Sequence, residues 1–119
     1  MTHGLQLARE PFEAIASGRK TIESRLFDKK RKQIQLDDII VCTNRDNLAQ
    51  TLQARVIGLL RYRSFTDLFT HNDPTQFDGK NPDWLLQQIS QFYSEDEQRQ
   101  FGVLGIQFEL LQSEPTSKI

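Results

Sequence analysis

Gly18-Arg19-Lys20-Thr21-Ile22-Glu23-Ser24-Arg25-Leu26-Phe27 combines a helix stop, a strand and a charged face in ten residues. Gly18 suits the left-handed position that ends a helix without a Cβ penalty. Thr21 to Phe27 then alternates as a strand, which sends Thr21, Glu23 and Arg25 to one side and Ile22, Ser24 and Leu26 to the other. Lys20 lies at the junction, where the turn can aim its ammonium at the same polar face. A cleft holding Lys, Glu and Arg offers a point charge, an acceptor for an exocyclic amine and a planar donor fork, a set suited to a phosphate or a nucleobase edge. The alternative is an exposed Glu23–Arg25 ion pair worth at most ~1 kcal/mol beside a solvated Lys20.

Upstream of this stretch, His3 to Ala8 is expected as a short strand. Pro11 suits a first helical turn, with Phe12 and Ile15 as its apolar stripe. Downstream, the turn signal Asp37-Asp38 introduces the β-branched run Ile39 to Thr43, and Asn44 to Asn47 turns the chain into a long strand from Thr51 to about Arg63. Ser64 with Asp67 predicts an N-cap and a short helix over Phe65 to about Thr70, stopping near Pro74. Asn81-Pro82 opens a helix whose Trp84, Leu85, Ile89 and Phe92 are spaced to bury one face, and Ser94 with Glu97 predicts a capping box for a further turn. Gly102 to Leu111 reads as a final strand, and 112–119 as a polar tail. Strands outnumber helices without βαβ alternation, so the expected fold is α+β with a small β-barrel.

The 119 residues suit one domain, and 37% hydrophobic residues with eight Phe can fill one core. Between Gly18 and Gln33 seven bases face two acids, a local excess of five positive charges in a chain of net charge −1. That asymmetry is the footprint of a surface that meets an anion, or of a solvated basic loop. One cysteine, Cys42, and two separated histidines, His3 and His71, leave no disulfide and no zinc-ligand spacing, so no cofactor or metal is expected. Met-Thr-His-Gly has no signal-peptide pattern and no apolar run approaches a membrane span, so the expected location is cytoplasmic.

Lys29-Lys30-Arg31-Lys32 would lend salt-dependent affinity to a nucleic-acid groove, or protect strand edges as a solvated loop. Arg61-Tyr62-Arg63 interleaves two bases with a ring, as a site that stacks a base and holds a phosphate requires, although Tyr62 also fits the core. Asn44 can read a base through its amide or serve the turn. Trp84 and Phe92 are assigned to the core, and Cys42 is expected buried and inert.

Gly18, Lys20, Glu23 and Arg25 form G-x-K-x-x-E-x-R. Together with Pro11-Phe12, Asp37-Asp38-Ile39-Ile40, Val56-Ile57-Gly58-Leu59, Tyr93-Ser94 and Gly102-Val103-Leu104-Gly105-Ile106, it resembles the signature of the ASCH domain family, and among its members the small prokaryotic ones. The resemblance implies one PUA-like domain over 1–111, a small mixed β-barrel with short flanking helices and a cleft that the motif lines with Lys20, Glu23 and Arg25. It implies RNA or a modified nucleoside as partner, with Asn44, Arg61, Arg63, Tyr93 and Ser94 as further binding candidates. Some members are similar in sequence yet are hydrolases, acting on N4-acetylcytidine or on RNA, which would give catalytic roles to Lys20 and Glu23. The amidohydrolase's lysine falls on Lys20, its threonine nucleophile on Glu23, and its glutamate near Gln76 to Asp78, where Asp78 or Asp73 would substitute. A protein-interaction adaptor is a third implied class.

Overall fold

In a computed structural model, described over residues 1–111, five strands form one curled sheet in the order β1-β3-β4-β5-β2. The strands are β1 (Thr2–Leu7), β2 (Ile22–Leu26), β3 (Ile39–Asn44), β4 (Asn47–Tyr62) and β5 (Val103–Leu110). β1 runs parallel to β3, whereas the β3–β4, β4–β5 and β2–β5 pairs are antiparallel. This is the expected α+β barrel, open along one seam because β1 and β2 are the unpaired ends of the strand order. The tail assigned to 112–119 lies outside the described residues.

Curl has a local cause. The β4–β5 register shifts between Val56 and Gly58, and such a bulge bends the strand and raises its twist. Gly58 permits the close pairing there, since a Cβ would sit 2.5 Å from the Gln107 side chain. β5 is buried on both faces: Leu104, Ile106 and Phe108 join Leu5, Leu7, Ile40, Cys42 and Val56 in one core, while Val103 packs with Ile22, Leu26, Phe65, Leu68 and Phe69 in the other.

Among the described residues there are four short α-helices, α1 (Arg9–Ala16), α2 (Phe65–Thr70), α3 (Pro82–Ile89) and α4 (Glu95–Phe101), and two single turns of 3-10 helix at Arg31–Gln33 and Pro74–Gln76. α1 drives Phe12 and Ile15 into the first core, each burial stabilising the fold by about 1.5–3 kcal/mol. Gly18 follows it at φ +83°, the left-handed stop expected. α2 and α3 cover the second core, with Ser64 and Asn81 accepting from the backbone N–H groups of Asp67 and Trp84 as N-caps. The helix expected to run on to Phe92 ends at Ile89. Ser94 and Glu97 form the anticipated capping box, which starts a helix of seven residues.

Candidate functional site

β2 places Glu23 and Arg25 on one face at the open seam, and the turn after Gly18 brings Lys20 to them. Lys20 Nζ lies 2.7 Å from Glu23 Oε1, and Arg25 Nε donates to Glu23 Oε2 at 2.8 Å. Glu23 is only 5% exposed. The alternative of a solvent-exposed pair with a free Lys20 is therefore corrected: one buried carboxylate holds two half-buried cations. Burial opposes the Glu23 charge, but Lys20 and Arg25 outweigh it and keep the carboxyl below its ordinary range. Burial likewise opposes the Arg25 charge, and Glu23 with the Tyr93 phenol overcomes it and raises the guanidinium. Cys42, fully buried beneath this cluster, is pushed up to about 12 by desolvation and then by Glu23, so its thiol is inert as expected.

A cleft of about 430 Å³ opens above this floor. β1 and α1 supply Gln6 and Pro11, β2 supplies Ser24, and Tyr93 stands before α4. Phe69, Phe77, Trp84 and Phe92 give the cleft an aromatic wall. The assignment of Phe92 to the core is thus corrected, since it is 69% exposed, whereas Trp84 packs half-buried against the second core as expected and also lines the cleft. Their spacing is that of a continuous helix, but α3 stops at Ile89, so Phe92 leaves the buried stripe and faces the cleft. Arg45, Glu10 and Gln88 also line the cleft; Gln88 lies one helical turn from Trp84 on α3, whereas Arg45 in a turn and Glu10 at the start of α1 carry no periodic signal. Asp78 lines the same cleft at φ +60°, a left-handed value uncommon outside glycine.

The other candidates are placed elsewhere. Asn44 is buried in the β3–β4 hairpin, donating from Nδ2 to Gln50 and accepting from Asp46 N–H. That is the turn role, and both ends of its amide are engaged. Ser94 Oγ accepts from Glu97 N–H as a helix cap. Arg61 and Arg63 line a second cavity of about 530 Å³ with Phe27, Tyr62 and Arg99. Tyr62 is half-buried and stacks on His71 at 5.5 Å between ring centroids. Among the described residues no group of three His, Cys, Asp or Glu side chains converges as a metal site, and no helix is long and apolar enough to cross a membrane.

The sequence pattern of the ASCH domain matches residues 5–112. The chain belongs to the ASCH domain family. The crystal structure of hypothetical protein PH0355 superposes on this ASCH domain with a TM-score of 0.83 at 30% identity, over 93% of this chain and all of that one. The solution structure of protein PF0455 from Pyrococcus furiosus gives 0.74 at 30% identity, over 94% of this chain and 99% of that one. The crystal structure of ASCH from Zymomonas mobilis, 16% identical, shares the fold with a TM-score of 0.57 over 89% of this chain and 65% of that one. No curated protein matches the chain. Within this ASCH domain, G-x-K-x-x-E-x-R is the segment that shapes the floor of the seam cleft.

Proposed function

We propose that this ASCH domain is a binding module that takes a nucleobase, carried by RNA or by a modified nucleoside, into the seam cleft. The family's link to RNA binding supports the polymer class. The observation that carries the reading is the charge balance of the lining: Lys20, Arg25 and Arg45 are matched by Glu10, Glu23 and Asp78. A matched set attracts no polyanion. It does present fixed donors and acceptors beside aromatic rings, which a neutral, flat, hydrogen-bonding group satisfies. Lys20 has donor capacity beyond Glu23, and each Glu23 oxygen has a second lone pair, so a base edge is met by charge-assisted bonds whose geometry is set in advance. Trp84, the single tryptophan, lines the cleft and reports occupancy. Titration with nucleosides, modified nucleosides and short RNAs is expected to change its fluorescence, and Lys20→Ala to weaken the response about tenfold, as loss of one charged hydrogen bond does. Silence toward every ligand, or equal affinity in the variant, overturns the reading.

A second reading, hydrolysis of a nucleoside amide or of RNA in the same cleft, is favoured by Asp78, whose carboxylate shares the lining with Lys20 and sits on left-handed backbone. Water drawn to Asp78 would be the nucleophile and Lys20 the group facing the developing oxyanion. Product in the same titrations, followed by chromatography, decides for the enzyme.

A further inference from the structure

None of Lys29 to Lys32 lines the seam cleft or the second cavity, yet the second cavity carries a cationic lining of its own. Its charged lining consists of Arg61, Arg63 and Arg99, with no carboxylate among the lining residues. Arg99 is neutralised by Asp96 and Glu95 on its own helix. Arg61 and Arg63 are exposed and make no ion pair among the described residues.

Arg61 is also held in a defined pose. Its guanidinium lies over the Phe27 ring, 3.9 Å from the centroid, and Lys32 Nζ stands 5.7 Å from the same ring. A guanidinium held over an aromatic face by cation–π attraction keeps N–H donors free to grip phosphate oxygens, and its planar group can stack a base. Phe27 directly follows β2, in step with the alternation of Glu23 and Arg25, and packs against the core that holds Leu5, Ile40 and Leu104. Four residues of extended chain separate Glu23 from Phe27, roughly 13 Å. The two cavities are therefore reached in succession along β2 and the residue that follows it, the first charge-balanced and aromatic, the second cationic.

We propose that the Phe27–Arg61–Arg63 shelf is a second binding site, one for the phosphodiester backbone of a single-stranded RNA whose unstacked base enters the seam cleft. The proposal rests on the base-binding reading above and extends it to a polymer: a free nucleoside engages the cleft alone, and an oligonucleotide engages both. Each phosphate neutralised by the shelf releases counterions, so the shelf acts through the salt dependence of affinity and the cleft does not.

The test compares a nucleoside with a labelled single-stranded RNA of about eight nucleotides, a length within the site sizes of small β-barrels. Binding is measured across a salt series for the parent, Arg61→Ala/Arg63→Ala and Arg61→Lys/Arg63→Lys. The alanine pair is expected to weaken the octamer about tenfold or more near 0.1 M salt, to reduce the log–log slope by about 1.4, and to leave nucleoside affinity unchanged. The lysine pair should restore the slope while recovering only part of the affinity, because an ammonium supplies charge without a planar stack. An octamer that binds the alanine pair with parental affinity and slope overturns the shelf, as does an octamer that fails to bind the parent. Lys20→Ala separates the two readings: it should weaken the nucleoside and leave the octamer's slope intact. Loss of the nucleoside signal with a slope that still responds to Arg61 and Arg63 would remove the cleft and keep the shelf.

Discussion

Arg25 ties Glu23 to Gln6: while Nε donates to the buried carboxylate at 2.8 Å, Nη2 donates to the Gln6 carbonyl at 3.3 Å. Gln6 belongs to β1 and Glu23 to β2, the two strands that the sheet leaves unpaired to each other. One guanidinium thus spans the seam that backbone pairing does not close, and it does so at the floor of the cleft. Binding chemistry and barrel closure share a side chain.

Arg25→Lys tests that double role. An ammonium is a compact point charge on a flexible stem and lacks the fork that reaches two acceptors in different directions. The variant should keep a Glu23 partner and lose the Gln6 tie, lowering stability by about 1 kcal/mol, the worth of a typical hydrogen bond. Arg25→Ala, which also removes a charge partner from a buried carboxylate, should cost on the order of 3 kcal/mol. Urea unfolding of both variants checks the order; parental stability in Arg25→Lys would mean that the seam contact contributes nothing.

Acid should weaken the fold through two carboxylates. Asp38 is lowered from the ordinary 3.8 to about 2, by its hydrogen bond with His3, by the Gln35 N–H and by the N-terminal ammonium. Glu23 is also lowered, from 4.5. A depressed carboxylate contributes stability that is complete above its unfolded value and is lost as pH falls through the folded one. Urea midpoints should therefore hold from neutrality to about pH 5, then decline toward pH 2 as these groups take up protons. Asp38→Asn should lower the midpoint at pH 7 and flatten the limb between pH 3.8 and about 2. A limb as steep as the parent's would assign the acid response to other groups.

How much of this was legible in the sequence differs between fold and site. Most strands and helices were signalled by alternation, a β-branched run or a cap, since Gly18, Ser64, Asn81 and Ser94 act locally and need no tertiary partner. However, β4 begins at Asn47 rather than Thr51, and the single helical turns Arg31–Gln33 and Pro74–Gln76 gave no signal. The Lys20–Glu23–Arg25 grouping was likewise local, following from strand parity and one turn. Burial of Glu23 was not, because it depends on the floor supplied by β1, β3 and Cys42 from distant sequence. Phe92 was misjudged because helical spacing holds only while the helix lasts, and no strong breaker stands at Ser90. The separation of Arg61 and Arg63 from the cleft required knowing that β4 passes Phe27, a contact across more than thirty residues.

Ser94 offers a clean division between capping and binding. Its hydroxyl accepts from Glu97 N–H at 3.1 Å, and Glu97 accepts in return from Ser94 N–H at 2.9 Å. Ser94→Ala should cost about 1 kcal/mol by freeing the first turn of α4, and should leave nucleoside affinity within twofold of the parent. Chemical denaturation gives the first number and Trp84 fluorescence the second. A large loss of affinity at unchanged stability would return Ser94 to the binding surface.

Phe92 is the residue on which stability and binding should part most clearly. At 69% exposure its ring contributes little to the second core, so Phe92→Ala should shift stability by no more than about 0.5 kcal/mol, as surface substitutions do. In the cleft the same ring forms part of the aromatic wall with Trp84 and Phe77, and a base stacked on it is worth about 1–3 kcal/mol. The variant should therefore weaken nucleoside and octamer by similar factors, about five- to a hundredfold, at an unchanged salt slope. Truncation of a ring that merely fills surface space would leave both affinities as they are. A loss confined to the octamer would place Phe92 on the path of the flanking strand and leave the base pocket to Trp84 and Tyr93.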